Sequence, residues 1–113
     1  MNGANTSIGG TARMAGTDAA QALPDFLIKD ADGNLAGYAL ITCEGEDIRY
    51  SIGTTTPTQG AEGIGLILAA GGRLELKGSM EVAGFRFLNK TPGLLAVIQA
   101  TAKFQTDRRG FNG

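Results

Sequence analysis

Leu94-Leu95-Ala96-Val97-Ile98-Gln99-Ala100-Thr101-Ala102-Lys103-Phe104 is the stretch whose reading decides the fold. Extended, it puts Leu94, Ala96, Ile98, Ala100, Ala102 and Phe104 on one face and Leu95, Val97, Gln99, Thr101 and Lys103 on the other. Wound as a helix, the same apolar residues scatter around the axis. The period of two therefore wins, and the β-branched residues within the run support it.

Working back from this strand, Asn89-Lys90-Thr91-Pro92-Gly93 reads as a turn, with Pro92 and Gly93 suited to the central positions of type II. Residues 82–88 are expected to form a strand. Residues 64–68 and 73–77 flank Ala69-Ala70-Gly71-Gly72 and predict a hairpin, with Leu74 and Leu76 opposing Arg73, Glu75 and Lys77. In residues 47–52, Ile48, Tyr50 and Ile52 alternate with Asp47, Arg49 and Ser51. One face is thus buried and the other wet or pressed against a neighbour. Glu44-Gly45-Glu46 joins this segment to a strand over 37–44. A first short strand over 26–29 closes in Asp30-Ala31-Asp32-Gly33-Asn34, where Asp32-Gly33 suits a turn needing positive φ.

Short apolar runs separated by glycine-rich turns are the spacing of an all-β domain, a single antiparallel β-sandwich or jelly-roll-like barrel over residues 23–104. Residues 1–22, mostly Gly, Ala, Thr, Asn and Ser, are expected to be a flexible N-terminal arm. Such a segment cannot offset an ordering cost of roughly 1–2 kcal/mol per residue unless a partner supplies contacts. Residues 105–113 return to glycine and polar residues and are expected to fray as a tail.

The chain of 113 residues has room for one domain, and its 18 glycines favour turns over helices. A domain of this size hides only about 60–70% of the surface its unfolded chain exposes, so its stability is thin without added support. One cysteine, Cys43, excludes an intrachain disulfide, and without histidine it cannot build a tetrahedral zinc site. Self-association is the remaining common device. Ten basic and eleven acidic side chains give a net charge of −1, with no basic run beyond Arg108-Arg109, which argues against binding nucleic acid. No apolar stretch is long enough to span a membrane and the N-terminus lacks a secretory pattern, so a protein made and kept soluble in the cytoplasm until assembly is expected.

The absence of histidine removes the commonest general base, triad base and metal ligand together. The carboxylates that a glycosidase pair would need are Glu44, Glu46, Asp47, Glu62, Glu75 and Glu81, most of them in turns or on polar strand faces, where they read as solvated surface. Cys43 ends an apolar strand with no base near it in sequence and reads as a small buried hydrophobe. Residues 60–65 have closely spaced glycines but no following Lys-Ser/Thr pair, and do not make a phosphate loop. Asp30, Asp32 and Asn34 alternate as in a calcium loop, yet Ile41 stands where the bidentate Glu belongs, so the turn reading prevails. Tyr38, Tyr50, Phe85 and Phe87 could stack bases or sugars, but they fall on apolar strand faces and read as core. No catalytic residue, cofactor or metal ligand is assigned.

One ordered set of signals remains: Ile48-Arg49-Tyr50-Ser51-Ile52-Gly53, Thr56-Pro57-Thr58, Gly63-Ile64-Gly65-Leu66-Ile67-Leu68, Gly72-Arg73-Leu74-Glu75-Leu76, Phe85-Arg86-Phe87-Leu88, and the alternating strand. This half of the chain resembles a group of small tailed-phage virion proteins in which an Ile-Arg-Tyr strand leads to a Thr-Pro-Thr loop, a Gly-Asp hairpin and a Phe-Arg-x-Ile strand. Gly71-Gly72 stands here in place of the Gly-Asp turn. The resemblance implies a capsid decoration or cement protein, non-enzymatic, bound to the major capsid protein and to copies of itself, often as a trimer, on the virion surface. The arm is then expected to lie across an adjoining protein. The candidate interface residues are Thr54, Thr55, Thr56, Pro57, Thr58 and Gln59 of the loop over 53–63, with Arg49 and Arg86 of the two motif strands. A different class, a carbohydrate- or receptor-binding module of a head or tail fibre, would need an exposed aromatic cluster with polar partners.

Overall fold

The alternating stretch becomes the centre of a sheet. The computed structural model describes residues 6–105 of the chain. In chain order they form β1 (Thr6–Ala15), β2 (Gln21–Ala22), α1 (Asp25–Ile28), β3 (Ala36–Glu44), β4 (Ile48–Ile52), β5 (Leu66–Leu68), β6 (Arg73–Lys77), α2 (Ser79–Gly84), β7 (Phe85–Asn89) and β8 (Val97–Gln105). Two four-stranded antiparallel sheets result, one ordered β1-β8-β3-β6 and the other β2-β7-β4-β5. They pack face to face as a β-sandwich; neither closes into a barrel.

The buried face of β8 is the one its period assigned. Ile98, Ala100, Ala102 and Phe104 are buried, as is Ala96 just before the strand, while Lys103 is exposed. Leu94 is left in the preceding turn, half-exposed, where its N–H donates to the Thr91 carbonyl at 3.2 Å and Gly93 adopts φ +81°. That is the type II turn expected at Pro92-Gly93. From the facing sheet, Ile48, Tyr50, Phe85 and Phe87 complete the core, with the Phe85 and Phe87 rings stacked at 5.7 Å and the Tyr50 ring 5.8 Å from Phe85. Each such large side chain stabilises the fold by about 1.5–3 kcal/mol relative to leaving it exposed.

Several sequence expectations are corrected. The expected arm is part of the sandwich from Thr6 onward: β1 is an edge strand paired with β8, and β2 pairs with β7. The physical reason lies in the neighbour. Ala12 and Met14 turn inward beside Ala100 and Ile98, and Thr11 and Thr101 share a hydroxyl hydrogen bond of 2.6 Å on the outer face. A segment too small to fold alone is ordered by a strand some ninety residues away in the same chain. Residues 1–5 of the expected arm and 106–113 of the expected tail lie outside the described residues, and Gln105 belongs to β8.

Residues 26–29 are not a strand. Pro24 caps the single helical turn α1, whose Leu27 is fully buried. Residues 82–88 divide into the end of α2, which buries Val82, and the strand β7. The hairpin expected across Ala69-Ala70-Gly71-Gly72 is instead an arch between sheets. β5 pairs with β4, whereas β6 pairs with β3, and the arch is held by Gly71 N–H to Cys43 O at 2.7 Å and Cys43 N–H to Gly72 O at 3.0 Å. Among the described residues, β4 and β5 are the only strands consecutive in the chain that lie side by side in one sheet.

Candidate interaction surface

β4 sets the geometry of the surface. Ile48 and Tyr50 face the core, which aims Arg49 and Ser51 at the outer side of their sheet, yet both are buried. What buries them is the segment 53–65, folded back over the strand. Arg49, only 5% exposed, donates from Nη2 to the Gly60 carbonyl at 2.8 Å and from Nη1 to the Gly65 carbonyl at 3.1 Å. The Ser51 hydroxyl donates to the Thr55 carbonyl. Pro57 is fully buried, and Leu88, cross-strand from Arg49, is buried without joining the main core. Through Nη1 and Nη2 the guanidinium satisfies two carbonyls with charge-assisted hydrogen bonds, while its Nε is buried with no hydrogen-bond partner among the described residues.

The segment also closes on itself. Thr58 N–H donates to the Ile64 carbonyl at 3.0 Å and Ile64 N–H to the Thr58 hydroxyl at 2.7 Å. Gly60 N–H donates to the Lys90 carbonyl, and Gln59 Nε2 donates to the Asp18 carboxylate at 2.8 Å and the Asn89 carbonyl at 3.1 Å. Gly63 is required here: a Cβ on it would lie 2.1 Å from the Thr58 carbonyl oxygen and 2.8 Å from Arg49 Nε.

The sequence-derived candidates thus separate. Arg49 and Pro57, both assigned to an interface, are buried within the single chain and organise the loop. Gln59 is half-buried and ties the loop to the β1–β2 connection, and Arg86 is half-buried, donating from Nη1 to the Gly84 carbonyl at 3.2 Å. Thr54, Thr55, Thr56 and Thr58 remain exposed. Sequence reading missed the apolar residues beside them: Leu66 (63% exposed), Ile64 (55%), Ile67 (50%) and, at the end of β4, Ile52. A signal existed in Leu66-Ile67-Leu68, three aliphatics without alternation, but such a run reads as a doubly buried strand and only Leu68 is buried.

The other chemical candidates resolve into local contacts. Glu75 accepts the Tyr38 hydroxyl at 2.6 Å, Glu81 accepts Lys77 N–H, Asp47 accepts Ala70 N–H, and Glu44 faces Gln99 and Arg13. The Tyr38 bond holds the Glu75 carboxyl below its ordinary range and, from the other side, raises the Tyr38 phenol. Burial pushes the Cys43 thiol up, and its Sγ donates to the Glu46 carbonyl at 3.2 Å. Asp30 accepts the N–H groups of Asp32 and Asn34, and Gly33 takes φ +86°, so the Asx-rich segment is built as a turn. Among the described residues, no three His, Cys, Asp or Glu side chains converge as a metal ion would require. No described helix is long and apolar enough to cross a membrane. Tyr50, Phe85 and Phe87 are core residues; Tyr38 alone of the four rings is partly open, with Lys103 Nζ 5.0 Å from its centre. An open groove of about 660 Å³ between α1 and the start of β3 is lined by Phe26, Ile28, Leu35, Asp25, Lys29 and Asp30.

Comparison of the chain with protein-family models, with curated proteins and with solved structures returns no match.

Proposed function

We propose that this chain is a structural, non-enzymatic protein of a tailed-phage virion. In this reading it decorates the capsid surface, stabilises it by binding major capsid protein subunits, and associates with copies of itself as a trimer. It needs neither nucleic acid nor a membrane. The observation that carries the reading is the surface built by β5 and the loop above β4, where exposed aliphatics adjoin a rim of threonines with no charge but Glu62. Exposed apolar strips rimmed by uncharged polar groups are what protein contacts are made of. The strand and turn order from Ile48 to Phe104 supplies the phage assignment.

The test is quantitative mass spectrometry of purified particles of a phage encoding the chain, followed by rebinding of purified protein to heads that lack it. Hundreds of copies per particle and saturable rebinding are expected. A dozen copies or fewer would place the protein at a neck or tail instead, and its absence from particles would overturn the reading.

A carbohydrate- or receptor-binding module has one observation in its favour, the half-open Tyr38 ring flanked by Glu75 and Lys103. A sugar face stacks on such a ring, but the remaining aromatics of the set are committed to the core. Glycan binding abolished by Tyr38→Ala would establish this second reading.

A further inference from the structure

We infer that β5 is the edge through which one copy of this chain meets the next. The inference deepens the self-association in the reading above by naming its surface, and rests on that part of it.

The four sheet edges differ in how they are protected. β6 carries Arg73, Glu75 and Lys77, charges of the kind that discourage strand addition. β2 has two residues, and β1 is interrupted by a bulge between Ile8 and Thr11 with Gly10 at φ +94°. Among the described residues β5 pairs with β4 alone, and it bears no charge.

Both faces of β5 present aliphatic surface. The register Ile48↔Leu68 and Tyr50↔Leu66 puts Leu66 on the core side of the sheet, yet it is the most exposed of the three, so the sandwich is open along this margin. Ile67, across from Arg49, stands on the outer side and is half-exposed. Ile52 and Ile64 extend the strip past the end of the strand.

An open strand rim selects an extended backbone as its occupant, and the side chains say which. A charged partner finds little to pair with here, because from Ser51 to Gly72 the only charged side chain is Glu62. A second copy offers the same uncharged aliphatic rim, so edge-to-edge contact desolvates no charge on β5 of either copy. β5 has only three residues, so the association it supports is expected to be weak and is sought over a wide concentration range.

The experiment is sedimentation equilibrium on the full chain over a concentration series, with Ile67→Lys, Leu66→Glu and, as a control on a separate exposed patch, Met80→Lys. The wild-type chain and Met80→Lys are expected to reach at least dimer mass, the two-fold pair that an edge meeting its own copy forms. Ile67→Lys and Leu66→Glu are expected to raise the dissociation constant at least about tenfold while keeping the wild-type circular dichroism and melting midpoint. Wild-type protein that stays monomeric at about 1 mM, the weak end of measurable association, overturns the inference. So does an Ile67→Lys variant that folds and still associates like wild type. Self-association through β5 in a protein absent from virions would sink the capsid reading and leave this one standing; abundant virion protein that never self-associates would do the reverse.

Discussion

The outer faces of the two sheets are built from similar alternation and end up in opposite states. On the β8 sheet, Arg13, Gln99, Thr42 and Arg73 lie in register across four strands, and the face is open to solvent apart from mutual contacts such as Tyr38 with Glu75. On the β4 sheet, Arg49 and Ser51 occupy equivalent outward positions but lie beneath the 53–65 segment, which is bonded to both. A polar residue facing out of a sheet is therefore not by itself a surface residue. What distinguishes the two faces is a loop that has somewhere to put its carbonyls.

Substitutions at matched positions should separate the faces. Arg49→Ala strands the Gly65 carbonyl, leaves the Gly60 carbonyl with the Gly63 N–H alone and empties the space under the loop, and is expected to cost about 3 kcal/mol in urea unfolding, whereas Arg73→Ala on the open face should stay within about 0.5 kcal/mol. Equal losses would mean that the loop does not depend on the guanidinium. Gly63→Ala places a Cβ against backbone and should cost about 2 kcal/mol or more. Gly37→Ala in β3 meets nothing within 4 Å and is expected to change stability by less than about 1 kcal/mol.

The smallest effects concern titration and thiol access. Glu75, with its carboxyl held low by Tyr38, contributes stability that is present above the unfolded carboxylate value and lost as pH falls through the folded one. Tyr38, raised by the same bond, contributes below its unfolded value and loses that contribution as pH rises through the folded one. Tyr38→Phe should return the Glu75 carboxyl towards its ordinary range in an NMR titration; an unmoved midpoint would show that the bond is not formed in solution. Cys43, buried with its thiol held protonated, should resist alkylation until the chain is unfolded.

How much of this is legible in the sequence depends on the distance of the partner. The inward face of β8, the Pro92-Gly93 turn and the Asp32-Gly33 turn are written in local chemistry, and the structure has them where the residues put them. β1 is not legible because its alternating Thr11, Ala12, Arg13 and Met14 are diluted by Gly9-Gly10, and its burial comes from β8 at the far end of the chain. Single turns such as α1 are too short for a period to declare itself, though Pro24 before Asp25 is a usable start signal. The sheet-switching arch at 69–72 reads as a hairpin because turn residues report a reversal of direction and not which strand lies next. At the surface, the threonine loop is evident from composition. The burial of Arg49 and Pro57 and the exposure of Ile64, Leu66 and Ile67 are properties of how that loop folds back, which no local pattern encodes.

Amide hydrogen exchange followed by NMR tests most directly whether the 53–65 segment is a built part of the sandwich. The N–H groups of Thr58, Gly60 and Ile64, each bonded, should exchange slowly, at rates within reach of those of β4, and Arg49→Ala should release all three together. Exchange at unprotected rates in the wild-type chain would contradict the account.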